Sequence, residues 1–482
     1  MRQLRSNSKN EISGRVLEKN ILKQVVNSNK SEFLALYGRR RVGKTYLIRN
    51  FFVAESCYFF HVSGIQKGSL EAQLEQFAKQ IGVTFYAGAS ITPRKRWLDA
   101  FEDLTKAILE CSGRKKIILF LDELPWMSVK RSGLLQALDY YWNRYWTHES
   151  KIKLVVCGSS ASFMLEKIIN SKGGLHNRVT RILKLEPFML GEAKEFLKYT
   201  GVKLSDRQIL ELYLVLGGVP HYLALCRKGL SAEQCIEELC FRKEGPLKDE
   251  FERLFASLFQ ESDIYVHLIK AIAQCRYGIG QAKLMQEKQF PAGGRLVHRL
   301  KELEEAGFIQ SFIPYGHQEK GIYYRVIDEF CLFYLHWMTG KKNRNLQSPA
   351  WKSWAGYAFE AVCYKHIPQI RRALQIDSKA QLGSWRSAVG SSEEQSGAQI
   401  DLLFDRLDDA ITVCEIKHAA EPFVIDKTYA KNFSNKIEIY RKRTATKKQI
   451  FLAMITVNGL KKSIYSEELV AGTVELEDLM KS

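Results

Sequence analysis

The chain reads Phe33-Leu34-Ala35-Leu36-Tyr37, then Gly38-Arg39-Arg40-Arg41-Val42-Gly43-Lys44-Thr45, then Tyr46-Leu47-Ile48-Arg49-Asn50-Phe51-Phe52. A short apolar run of strand length feeds a GxxxxGKT loop, and the loop opens a helix. That setting admits few folds, because the loop works only between a buried strand and a helix N-terminus. Gly38 and Gly43 let the backbone wrap a phosphate. The helix start supplies free N–H groups and a positive dipole end. The Lys44 ammonium reaches β and γ phosphates, and the Thr45 hydroxyl ligates Mg²⁺. Gly38, Arg39, Arg40, Arg41, Val42, Gly43, Lys44 and Thr45 are therefore the expected cradle, with ATP and Mg²⁺ the expected ligands.

A second element completes the pattern. Ile117-Ile118-Leu119-Phe120-Leu121 reads as a buried parallel strand, and Asp122-Glu123 stands at its C-terminal end, where open α/β sheets place their ligands. Asp122 is expected to hold Mg²⁺ through its water shell, or else to cap a helix. Glu123 is expected to orient or deprotonate the attacking water. A third strand, Lys153–Cys157, ends in Gly158-Ser159-Ser160. A polar residue there senses the γ-phosphate, or Ser160 caps the helix that follows. Arg178 follows a glycine-rich stretch and reads either as an arginine finger or as a solvated surface arginine.

Charge sharpens the choice of partner. The 482 residues hold 72 Lys/Arg against 53 acids, a net charge of +19. Residues 1–50 alone carry 12 Lys/Arg and 3 acids. Such an excess favours nucleotides, nucleic acid or an anionic membrane surface. With 46% apolar and 26% charged residues, a disordered chain or a disulfide scaffold is excluded. No apolar run is long enough for a membrane span, and no apolar region follows the basic start to make a secretory signal. Ten scattered cysteines without a CxxC pair read as reduced thiols of a cytoplasmic protein.

Residues 191–240 read as several helices broken at Gly217-Gly218-Val219-Pro220. From Ser262 onward three helices and two alternating strands suggest a winged helix-turn-helix. Its third helix, Gly293–Ala306, carries the apolar face Leu296, Val297, Leu300 and Leu303, with Arg295, His298, Arg299 and Lys301 as basic decoration. That helix enters a major groove, or the whole element packs internally. Beyond the basic linker Lys341–Asn345, Trp351–His366 reads as a helix bearing Glu360, Gln399–Phe404 as a strand bearing Asp401, and Ile411–Lys417 as a strand bearing Glu415 and Lys417. Period two puts Glu415 and Lys417 on one face. A hairpin at 405–410 brings Asp401 beside them. Such charges are costly to bury unless paired, either with one another or with a divalent metal. Asp401 and Glu415 are expected Mg²⁺ ligands, Lys417 positions the water or steadies phosphate charge, and Glu360 adds a ligand or supports one. Lys427, Lys431, Lys436, Arg441, Lys442 and Arg443 then read as a basic helix able to track a phosphate backbone, or as a solvated face.

Two resemblances follow from these residues. Ser13-Gly14-Arg15-Val16-Leu17-Glu18, the Gly38–Thr45 loop, the LDELPWM run at 121–127 and Gly217-Gly218-Val219-Pro220 resemble the archaeal-type ATPases, among the STAND-like P-loop ATPases related to AAA+ proteins. That resemblance covers roughly residues 10–335. It implies that Gly14 and Arg15 lie near the adenine and that Pro220 sits in a helical lid touching the base. It also places Arg178 at the family's Gly-Arg position, with Asn177 here in place of the glycine. Asp401, Glu415 and Lys417, with Glu360 as the helical acid, resemble the PD-(D/E)XK nuclease superfamily over about residues 350–460. Gln399-Ile400 precedes Asp401 in place of a proline.

The expected fold is α/β: a P-loop NTPase parallel sheet (1–190), a helical lid (191–255), a winged helix-turn-helix (256–340) and a C-terminal α/β restriction-endonuclease-like domain (341–482). The expected function is an ATP hydrolase whose nucleotide state gates a Mg²⁺-dependent nuclease acting on nucleic acid, DNA first. The alternatives are a STAND-type switch with a non-cleaving C-terminal domain, or a winged-helix DNA-binding regulator. No membrane partner is expected, and Arg178 acting in trans would require a homo-oligomer.

Overall fold

Contiguous apolar strands build the first sheet. In the computed structural model, β1 (Glu32–Tyr37), β2 (Cys57–Ser63), β3 (Lys116–Asp122), β4 (Ile152–Gly158) and β5 (Arg181–Lys184) pair in the order β2-β3-β4-β1-β5. All four pairings are parallel. A parallel sheet is covered on both faces, so its strands need apolar residues at every position. β3 shows this: Ile117, Leu119 and Leu121 enter one apolar cluster, while Ile118 and Phe120 enter the other. The described residues are 12–481 apart from 54, 112, 114, 172, 176, 287–289, 291–292, 316–320, 340–344, 347 and 387–397. The basic start at 1–11, linker residues 341–344 and the polar segment 391–397 lie outside them.

The chain divides into two units, residues 1–187 and 188–482. In the second, helices Leu190–Tyr199, Asp206–Leu216 and Pro220–Leu223 come first. Gly217 and Gly218 have a packing reason. A Cβ on Gly218 would stand 1.8 Å from the Phe188 carbonyl oxygen, and the Phe188 N–H donates to the Gly218 carbonyl at 2.7 Å.

Helices Ser262–Ala273, Gln281–Gln286 and Gly294–Glu305 follow, with β6 (Ile279–Gly280), β7 (Ile309–Phe312) and β8 (Tyr323–Val326) in the antiparallel order β6-β8-β7. On helix Gly294–Glu305, Leu296, Leu300 and Leu303 are buried, but Val297 is 43% exposed. It lies one residue, about 100°, off the i, i+4, i+7 stripe.

The last part sets helix Pro349–Lys365 before a mixed sheet of β9 (Gln381–Arg386), β10 (Gln399–Asp405), β11 (Ala410–Lys417), β12 (Gln449–Thr456) and β13 (Val470–Val474). Their order is β13-β12-β11-β10-β9, antiparallel at β9/β10/β11 and parallel at β11/β12/β13. Helix Lys427–Thr444 connects β11 to β12. Ile411 and Val413 of β11 pack in one cluster with Ala430, Phe433 and Tyr440 of that helix; Cys414 and Ile416 face the other cluster, with Ala358 and Val362 of helix Pro349–Lys365.

Candidate functional site

In the first unit the glycine-rich loop closes on its own lysine. The buried Lys44 ammonium donates to the carbonyls of Gly38 and Arg39 and to the Ser159 hydroxyl, each at 2.9 Å. Gly38 (φ 149°) lies so close to the chain after β5 that a Cβ would stand 2.2 Å from the Leu185 carbonyl oxygen. Gly43 has φ 92°, and nothing lies within 4 Å of where its Cβ would stand. The cradle is therefore open on that side, and a side chain would enter it.

The Thr45 hydroxyl donates to Asp122 Oδ2 at 2.8 Å. Ser63 donates to the same oxygen at 3.3 Å, and His61 Nε2 stands 3.7 Å away. Burial alone raises the Asp122 carboxyl. The nearby His61 ring and the Thr45 hydrogen bond outweigh it and hold the group below its ordinary value, so it stays ionised. Glu123 adopts a left-handed backbone (φ 47°). Its carboxylate accepts from the Ser159 hydroxyl at 2.5 Å and the Ser159 N–H at 3.1 Å. Ser159 thus links Lys44 to Glu123. Ser160 caps the following turn by accepting from the Phe163 N–H at 3.4 Å.

Arg15 is buried, and its guanidinium donates to the Val42 carbonyl inside the loop at 3.2 Å. Gly14, beside it, has φ 64°. The Arg40 guanidinium lies over the Trp126 ring at 5.4 Å. Arg41 takes φ 72° and Val42 is buried. Arg178 is exposed, with its backbone N–H bonded to the Leu175 carbonyl. Pro220 begins a helix of the second unit.

The second constellation lies on β10 and β11. Glu415 is 2% exposed. Its carboxylate meets Lys417 Nζ at 3.5 Å, accepts from the Tyr429 hydroxyl at 3.2 Å, and pairs with Lys436. Lys436 therefore points inward to the acid, unlike Lys427, Lys431, Arg441, Lys442 and Arg443, which are exposed. One step beyond the paired Leu402 and Cys414, Asp401 stands opposite Glu415. A register shift between Ile400 and Leu403 interrupts the pairing with β9, and Asp401 lines a cavity there. Gln399 donates to its carboxylate at 2.7 Å. Burial, then the Glu415 charge, raise the Asp401 carboxyl above its ordinary value. Glu360 lines the same cavity and pairs with Arg276 at 2.8 Å. Burial first and the Asp401 charge second push Glu360 up to about 7.

Asp401, half-buried, and Glu415, buried, stand opposed as a donor set that suits a divalent cation. Among the described residues, however, no three acids, histidines or cysteines are grouped as a metal site. Glu360 is held by Arg276 instead.

Sequence reasoning passed over His61, Ser63 and Tyr429. Only His61 and Ser63 carried a signal, as polar residues ending an otherwise aromatic and apolar strand. On helix Gly294–Glu305 three of the basic residues pair with acids. Arg299 meets Glu261 at 2.5 Å, His298 meets Glu302 at 3.2 Å and Lys301 meets Glu305 at 3.6 Å.

The parallel sheet, the loop and the acid-tipped β3 define a P-loop ATPase fold. Residues 13–226 match the family model described as an ATPase domain predominantly from Archaea, so the chain carries an archaeal-type ATPase domain. It is similar to an uncharacterized protein of Methanocaldococcus jannaschii, 25% identical over 396 residues, covering 79% of this chain and 81% of that one. It resembles the Walker-type ATPase of Pyrococcus abyssi at TM-score 0.50 and 19% identity, over 69% of this chain and 98% of that one. The ORC2 protein of Aeropyrum pernix, in ADPNP–ADP complexes, aligns at TM-score 0.45 and 15% identity over 74% and 96% of the two chains. Among the described residues, no helix is long and apolar enough to cross a membrane.

Proposed function

We propose that the chain hydrolyses ATP in its first unit and cleaves nucleic-acid phosphodiesters with Mg²⁺ in its second, the nucleotide state gating the cut. One observation carries this reading. Each unit brings two acids and a lysine together: Asp122, Glu123 and Lys44 in one, Asp401, Glu415 and Lys417 in the other.

In the first unit the loop N–H groups and Lys44 would receive the phosphates, with Thr45 and Asp122 holding Mg²⁺. Lys44 is preorganised, because its present partners are two carbonyls and a hydroxyl rather than a carboxylate. Exchanging them for phosphate oxygens gains charge pairing. Glu123, fixed by Ser159, orients the attacking water. Gly14 and Arg15 flank the base side, and Arg15 braces the loop through Val42. Pro220 closing on the base and Arg178 acting as a finger, in trans within a homo-oligomer, belong to the same proposal.

In the second unit Asp401 and Glu415 would hold Mg²⁺, which would supply charge to polarise a phosphate oxygen. Lys417 steadies its developing charge. Glu360 joins that set only when Arg276 releases it. The test is incubation of the full chain with DNA, Mg²⁺ and ATP, where Glu415→Ala should abolish cutting.

A STAND-type switch with a non-cleaving second unit draws support from a different observation. Glu415 is already satisfied by Lys436, Lys417 and Tyr429. Calorimetry decides between the two: no Mn²⁺ or Mg²⁺ binding dependent on Asp401 favours the switch. The groove-binding regulator is the weakest reading, because three of its basic residues already pair with acids.

A further inference from the structure

The cavity beside Asp401 holds more than acids. It encloses about 410 Å³, and its lining includes Tyr277, Tyr357 and Trp385 together with Arg276 and Arg386. That volume falls in the roughly 300–1,000 Å³ range of small-ligand pockets. It suits one nucleotide and not a duplex.

The arginines are arranged for a planar ligand with a phosphate. Arg386 is exposed and lies over the Tyr277 ring at 4.7 Å, while Arg276 lies over the Tyr357 ring at 5.4 Å. Tyr277 is itself 43% exposed, so the cavity opens to solvent at this stacked pair. A guanidinium can stack on a ring and still donate to phosphate oxygens. At the inner end the Tyr364 hydroxyl donates to the Asp401 carbonyl at 2.6 Å, and Arg325 covers the Tyr364 ring at 3.5 Å. Tyr364 is therefore a fixed wall, whereas Tyr277 and Tyr357 carry their guanidiniums at longer range, 4.7 and 5.4 Å, and would stack a base as those arginines turn to its phosphate.

We propose that this cavity seats one unpaired nucleotide of a nucleic-acid strand, its base stacked among Tyr277 and Tyr357 and its phosphate met by Arg386 and Arg276. The placement rests on the reading of Asp401, Glu415 and Lys417 as phosphodiester-cleaving residues, which puts the scissile phosphate at the inner end. The strand must be unpaired there, because a base in a duplex keeps both faces stacked on its neighbours, whereas a single strand offers them to aromatic rings. A free mononucleotide carries the same chemistry, and the test separates the two.

The full chain in EDTA, where nothing is cut, is titrated with fluorescein-labelled oligothymidylate, with the matched duplex, and with thymidine monophosphate as competitor. The strand should bind at least about tenfold more tightly than the duplex. The monophosphate should displace it only at about hundredfold higher concentration. Tyr277→Ala and Arg386→Ala, both at exposed positions, should each weaken strand binding about tenfold, with Tyr277→Phe restoring it. Duplex binding as tight as the strand, mole-for-mole competition by the monophosphate, or strand binding unmoved in both variants would overturn the proposal. Cleavage is scored separately with Mg²⁺. Binding that depends on Tyr277 without any cleavage supports the cavity and counts against the nuclease alone. Cleavage lost in Lys417→Ala, with binding indifferent to Tyr277 and Arg386, removes the cavity alone.

Discussion

Lys44 donates to three oxygens of its own chain, so the ammonium is aimed before any phosphate arrives. Removing it should cost nucleotide binding itself: Lys44→Ala is expected to show no saturable signal in a fluorescent-ATP titration. Glu123 should behave differently. It holds no phosphate-binding atom, so Glu123→Gln is expected to bind ATP normally and to lose turnover by about a hundredfold or more, as loss of a positioned base does. Equal turnover in wild type and Glu123→Gln would remove Glu123 from catalysis. Much of this was legible in the sequence, because a phosphate loop is local: Gly38, Gly43, Lys44 and Thr45 are fixed by spacing within one turn. Glu415 and Lys417 were legible for a similar reason, since strand period alone puts them together. Lys436 was not. It reaches Glu415 from a helix 21 residues away, and the other basic residues of that helix, Lys427, Lys431, Arg441, Lys442 and Arg443, are exposed and give it the look of a solvated face. His61 and Ser63 were missed because they meet Asp122 only once β2 lies beside β3.

Among the elements, the helices of 190–223 depend on two close approaches that no periodicity reveals. Gly218 has no room for a Cβ beside Phe188. Gly218→Ala should destabilise the second unit by about 1–3 kcal/mol, read as a lower denaturant midpoint. The other approach is His366, fully buried, whose Nε2 accepts the Leu190 N–H at 3.0 Å while Nδ1 lies 2.8 Å from the Val362 carbonyl. This ring must be neutral to accept. Burial pushes it down from the ordinary 6.5 to about 4, against the Val362 hydrogen bond that raises it. The unfolded chain therefore takes up the proton first. The stability His366 supplies is complete above pH 6.5 and is lost as pH falls toward about 4. At about 1.4 kcal/mol per unit, the swing is on the order of 3 kcal/mol. Denaturant midpoints compared with those of His366→Gln across that window check it: the difference should shrink with acid, and a pH-independent difference would refute it.

At the scale of the whole molecule, the chain divides after residue 187. The three segments expected beyond that point share one apolar cluster running from Phe188 to Met480. The sequence did not reveal this sharing, because it is made by distant contacts. Gly191 packs against the Met480 carbonyl, and His366 ties the C-terminal helix Pro349–Lys365 to the start of helix Leu190–Tyr199. A shared core gives the first helices and the acid-bearing strands a common fate on unfolding.

If ATP held by Lys44 gates a cut made at Asp401, Glu415 and Lys417, one cleavage assay on labelled DNA with Mg²⁺ reveals it, run with and without ATP on wild type, Lys44→Ala and Lys417→Ala, with phosphate release followed in the same tubes. Wild type should cut only with ATP, Lys417→Ala should release phosphate without cutting, and Lys44→Ala should do neither. An uncut substrate with wild type, or cutting that survives Lys417→Ala, would overturn the gated nuclease.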